Sequence, residues 1–290
     1  MNDNFGGLAL AGNIITDPRL VFGGAGPVPL EAVIGPVTVS TDIATNNPTG
    51  PFNNLGIPGA KSFHLINNGY GNIQNLPAAA NPYAVRVTGN APNASILELA
   101  AAQNPTFFTI SEVGGNDVLG YATTGGDGSN PITDTATFTA SLNAIVNTMT
   151  ANGAKGAIAN LPNITSLSFF TTVPHDPVPL DAATAGAVNQ AYAAYNGGLQ
   201  LALANQLITQ EEVEARTINF EASSANAVVI EDESLTNLGA LGLPSIRQAT
   251  AEDLIVLPAS SFIGTLADPN NPLSVNGVAI PLADNWVLIP

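Results

Sequence analysis

Groups able to stabilise a developing negative charge gather in one short stretch, Glu112-Val113-Gly114-Gly115-Asn116-Asp117, directly after an apolar run. A strand that carries an asparagine into a turn presents a carboxamide N–H at its end. A donor fixed in place before reaction is what an oxyanion requires. Gly-Gly-Asn-Asp also spells an ordinary turn. The second stretch is Asn53-Asn54-Leu55-Gly56-Ile57-Pro58-Gly59-Ala60-Lys61-Ser62. Within it Gly59 could leave a bare backbone N–H facing a ligand, the other common kind of oxyanion donor. Read alone, this second stretch is a loop.

Proton transfer and nucleophilic attack have fewer candidates. His64 lies five residues after Gly59, and histidine suits proton transfer near neutral pH. Set between Phe63 and Leu65, it reads more readily as a packing residue. His175 stands between Pro174 and Asp176-Pro177, in what should be a rigid exposed loop. Ser62, Ser111 and Ser129 are the serines nearest these stretches. Ser111 alternates within the apolar run and reads as structural, and Ser129 sits in a glycine-rich loop. Ser62, beside His64, is the one serine with a histidine at hand, although a nucleophile also needs an orienting partner. Gly115, Asp117 and Ser62 are the expected substrate-side neighbours of Gly59 and Asn116. Asp117, Asp127 and Asp134 surround a Gly/Asn loop of the kind that can ligate calcium, without EF-hand spacing. Two histidines and no cysteine give zinc too few of its usual ligands.

The elements that must position these groups show in the apolar pattern. Residues 1–58 are rich in Gly, Pro, Asn and Thr, and read as irregular loops with one or two short strands. Asn93 is a candidate cap for a helix through Ile96, Leu97, Leu99 and Ala100 that ends near Asn104-Pro105. A strand is expected over 107–113. Phe138, Leu142, Ile145, Val146 and Met149 recur at helical spacing, with Gly153 as a stop. A buried strand is expected over 157–161 and a long helix over about 181–206. Thr209-Gln210-Glu211-Glu212 has capping-box spacing for a short helix. Ala227-Val228-Val229-Ile230 reads as a further strand. Alternating helix and strand predicts an α/β domain, a parallel sheet covered by helices on both faces. Functional residues in such folds sit at the carboxyl ends of strands. Residues 233–290 return to proline-rich loop. The expected organisation is a single domain over 1–290 with its core at about 50–232.

Composition limits the partners. Six basic residues against 22 acidic ones give a net charge of −16. A surface of that sign repels phosphate backbones and anionic headgroups, which excludes nucleic acid and anionic membrane surfaces as natural partners. Apolar content of 45% is ample for a core, and no run of about 18 apolar residues suggests a membrane span. The absence of cysteine removes disulfides and thiol nucleophiles. Met1-Asn2-Asp3-Asn4 lacks the basic and apolar regions of a signal peptide.

Taken together, Gly59 and Gly114-Gly115-Asn116-Asp117 resemble the two oxyanion blocks of the SGNH/GDSL-type ester hydrolases. Asn160-Leu161-Pro162 resembles that family's next strand end, and the helix bearing Asn189, Tyr195, Asn196 and Leu199 its long helix. The resemblance covers roughly residues 50–232. It implies a three-layer α/β fold of flavodoxin-like type, with long loops here, and oxyanion donors at Gly59 and Asn116. It also implies hydrolysis of carboxylic esters or lactones without a cofactor, and an exported protein. Two family motifs are missing. No Gly-Asp-Ser nucleophile string occurs in the chain, and no histidine follows His175 to form Asp-x-x-His. Motif order therefore predicts a nucleophile block before Met1 and a histidine block beyond Pro290. Three readings follow: an ester or lactone hydrolase, an inactive protein that binds an acyl ligand, or a calcium-assisted hydrolase. A sheet lacking its first strand would leave an edge open to another copy, so a homo-oligomer is expected.

Overall fold

The structure, a computed structural model, describes residues 6–24, 27–39 and 41–289. The Met1-Asn2-Asp3-Asn4 start lies outside them. Short elements dominate, as 28 glycines and 22 prolines require. The chain mixes helices with five two-stranded sheets, one parallel, so its class is α/β in the broad sense. It divides into two compact units, residues 1–117 with 133–161, and residues 118–132 with 162–290.

The first unit opens with two antiparallel hairpins, where one or two strands were expected. β1 (Leu8–Leu10) pairs with β2 (Asn13–Thr16), and β3 (Leu20–Phe22) with β4 (Pro27–Pro29). A single turn of helix, α1 (Glu31–Ile34), follows. Leu8 packs with Ile43 and Val85 in a small core. A 3-10 turn at Ser62–Ile66 leads to α2 (Pro82–Thr88). Asn81 starts α2 by accepting the Tyr83 N–H, and Pro82 costs nothing at a position with no N–H partner to lose. α3 (Ile96–Ala102) is capped by Ser95 in a reciprocal box with Glu98, two residues later than the expected Asn93. Ile57, Tyr70, Ala84, Val87 and Ile96 form the core between these helices.

β5 (Phe107–Ile110) is three residues shorter than the apolar run suggested. Glu112 breaks it by taking a φ of +66°, a left-handed conformation that ends a strand. The chain then enters α4 (Gly115–Thr123), and the boundary between the units falls inside this helix. α5 (Thr135–Thr150) is capped by Asp134, which accepts the Thr137 N–H. β6 (Lys155–Ile158) pairs in parallel with β5, Phe107 opposite Lys155 through Ile110 opposite Ile158. This strand was expected to be buried. All four of its residues are exposed, because no third strand joins the pair among the described residues.

The second unit holds the larger core. α6 (Ser168–Thr171), α7 (Ala182–Ala204) and α8 (Gln210–Arg216) surround Val228, Val229 and Ile230, with Phe170, Val188, Leu199, Val213 and Ile255 packed around them. Asp181 and Thr209 cap α7 and α8, each accepting a backbone N–H of the first turn. β7 (Val229–Glu231) pairs antiparallel with β8 (Ile246–Gln248), and β9 (Leu254–Ile255) antiparallel with β10 (Val287–Leu288). Among the described residues no helix is long and apolar enough to cross a membrane.

Candidate active site

β5 and the elbow after it deliver the second motif. Gly114, at φ +105°, allows the turn, and a Cβ there would stand 2.7 Å from Leu161 Cδ1 and 2.9 Å from Phe138 Cε2. Only glycine lets the chain pass that tightly. Gly115, Asn116 and Asp117 then form the first turn of α4, with Gly115 and Asn116 half-buried and Asp117 buried.

The first motif lies against this turn. Asn116 Nδ2 donates to the Ala60 carbonyl at 3.0 Å, on the residue that follows Gly59. A carboxamide nitrogen carries two hydrogens, so the second is left for a ligand. Gly59 is exposed at φ +77°, and its N–H donates to no protein group among the described residues. The two expected oxyanion donors thus belong to segments in direct contact. Asn81 supports the same loop by donating to the Pro58 carbonyl at 2.8 Å. Sequence reasoning passed over Asn81, although Asn81-Pro82 is a legible helix start.

Ser62 and Asp117 face each other rather than a ligand. The Asp117 carboxylate accepts both the Ser62 N–H and the Ser62 hydroxyl, each at 2.8 Å. Ser62 is 1% exposed and Asp117 3%. A hydroxyl enclosed in this way and donating to a carboxylate is not presented for attack.

His64 is half-buried in the 3-10 turn. Its Nδ1 accepts the Lys61 N–H at 3.0 Å, and its ring stacks on Tyr70 with centroids 4.5 Å apart and planes 9° apart. Burial and the neighbouring Lys61 charge push its pKa below the usual 6.5, with Asp117 pulling weakly the other way. In its neutral form the free nitrogen, Nε2, carries the hydrogen. His64 is thereby set up as a donor, not as a base.

The remaining candidates stand apart from these bonds. Ser111 and Ser129 are exposed, and Ser129 donates its hydroxyl to Asp127. His175 contacts Asp176 at 3.9 Å, a separation at which little pairing is gained. The three carboxylates considered for calcium each have protein donors: Asp117 takes Ser62, Asp127 takes Ser129 and Asp134 caps α5. Among the described residues no group of three or more His, Asp or Glu is arranged to hold a metal ion.

A cavity of about 330 Å³ in the second unit is lined by Glu231, Asp232, Glu233, Leu235, Ser245 and Asp284. Burial, then the charge of Glu233, raises the Asp284 pKa above the usual carboxylate range. Asp232 at the cavity wall is tied to Arg247 and to Ser234.

No protein-family model matches the chain, and no curated protein or solved structure matches it.

Proposed function

We propose that the chain is built for carboxylic ester or lactone hydrolysis, with Gly59 N–H and Asn116 Nδ2 as its oxyanion donors on a three-layer α/β scaffold of SGNH type. The observation that carries this reading is the 3.0 Å bond from Asn116 to Ala60, which joins the two motifs while one amide hydrogen of Asn116 and the Gly59 N–H have no acceptor among the described residues. When a nucleophile adds to an ester carbonyl, the C=O π pair moves to oxygen. Two preset N–H groups stabilise that charge better than mobile water does. On collapse that pair re-forms the C=O bond, the C–O bond to the alcohol breaks, and the leaving alkoxide takes the proton given up by the nucleophile.

A second reading is favoured by Ser62 and His64. The hydroxyl nearest the loop is enclosed, and the histidine beside it has its Nδ1 lone pair occupied. A protein so arranged holds an acyl carbonyl without cleaving it.

Turnover of a p-nitrophenyl ester separates the two. Hydrolysis by the chain, falling about a hundredfold or more in Asn116→Ala, is the expected result. A stoichiometric adduct with a serine-reactive fluorophosphonate should accompany it. Neither turnover nor adduct would leave acyl binding as the function, and full activity in Asn116→Ala would remove the oxyanion assignment.

A further inference from the structure

The buried pair of Ser62 and Asp117 is better explained by the placement of the donors than by the packing of the unit. Burying a carboxylate is costly unless its oxygens are satisfied. Asp117 meets that cost with two bonds from a single residue, Ser62 N–H and Oγ–H, both at 2.8 Å. Charge-assisted bonds of this kind are roughly twice as strong as neutral ones. Asp117 also occupies the first turn of α4, where the helix dipole favours a negative group.

Position along the chain gives the pair its consequence. Asp117 follows Asn116 in the same helical turn, so Asn116 cannot shift without it. Ser62 stands three residues beyond Gly59, with Ala60 between them already held by Asn116. Three side-chain bonds therefore stitch residues 60 and 62 to residues 116 and 117. The Lys61 N–H in the middle is fixed as well, by His64 Nδ1. Every backbone donor from Ala60 to Ser62 is engaged, since the Ala60 N–H bonds to Ile57 at 3.1 Å, whereas the Gly59 N–H has no protein acceptor among the described residues.

We infer that Ser62 and Asp117 are positioning residues, which hold the Gly59 amide and the Asn116 carboxamide at a common oxygen. The inference rests on the hydrolase reading and deepens it. Neither residue touches substrate.

The test compares Ser62→Ala, Asp117→Asn and the double variant with the wild-type chain. In ester turnover each single change should lower kcat about tenfold to a hundredfold with KM nearly unchanged, the cost of a donor displaced by an ångström or less. The double variant should be no slower than Asp117→Asn, because both changes break one unit. The backbone amide resonance of Gly59 and the side-chain amide resonances of Asn116 should move in both single variants. A pair that only held the fold together would lower Tm and leave kcat per folded molecule intact, and that result overturns the inference while the hydrolase reading stands. A wild-type chain without turnover overturns the hydrolase reading instead. In that case Gly59 and Asn116 resonances unmoved in Asp117→Asn would overturn the positioning role as well.

Discussion

His64 illustrates how a single hydrogen bond reassigns a residue. A histidine beside a serine suggests a base, yet the Lys61 N–H occupies the nitrogen that would have to accept the proton. Protonation would charge a half-buried group beside the Lys61 ammonium, so the folded pKa lies below 6.5. Below 6.5 the unfolded chain takes up a proton that the folded chain resists. The His64 contribution to stability is thus present above that pH and is lost as pH falls from 6.5 through the folded value. An NMR titration should give a midpoint under 6.5, and His64→Gln should flatten the Tm profile on the acid side. A midpoint at or above 6.5 would contradict the assignment. That the Gly59 and Asn116 stretches belong together was legible only from the two motifs jointly, since each alone reads as a turn or a loop. The bond between Ser62 and Asp117 was not. The two residues stand 55 positions apart, and nothing in either stretch says that a serine will be enclosed by a carboxylate.

At the scale of elements, Arg247 fastens β8 to its surroundings. It makes a two-point contact with Asp253, at 2.6 and 2.8 Å, and its Nε reaches Asp232, just beyond β7, at 2.5 Å. The two aspartate side chains are 1% and 4% exposed, so removing the guanidinium strands two enclosed negative charges. Arg247→Met should cost roughly 3–5 kcal/mol in urea denaturation at neutral pH. Burial pushes both carboxyls up, but hydrogen bonds outweigh it and hold each below the ordinary 3.8, those from Ser234 and then Arg247 at Asp232 and those from Arg247 and then Thr250 at Asp253. Their contribution is complete above 3.8 and is lost as pH falls through the lower folded values, so the penalty should shrink in strong acid. Helices were the legible elements: the apolar spacing of α5, the extent of α7 and the Thr209 cap of α8 stand in the sequence within a few residues of where they form. Sheets were not. The run at 107–113 contains Glu112, and its left-handed φ cut the strand short in a way that apolar pattern does not encode. The partner of β7 is β8, which lies within the 233–290 stretch that reads as proline-rich loop.

For the whole molecule, charge is the dominant sequence-level fact. With 22 acidic residues against six basic ones, self-repulsion opposes the folded state at low ionic strength. Raising sodium chloride shortens the Debye length to about 10 Å at 0.1 M, which screens exposed carboxylates from one another. Tm should therefore rise with salt at neutral pH by calorimetry, and a fall would show that attractive pairs such as Arg247 with Asp253 outweigh the repulsion. The same repulsion bears on association through β5 and β6, where Phe107 is 59% and Ile158 49% exposed. Self-association is expected in light scattering as salt increases, and a monomer at every ionic strength would count against it.

That parallel pair has one more consequence. With no third strand beside it among the described residues, β5 has no second ladder to protect its outward amides. Deuterium should replace their hydrogens sooner than those in the middle of α7. Asn116 thus hangs from a ladder that opens readily, and an acyl ligand seated on it would register first as slower isotope uptake along residues 107–110.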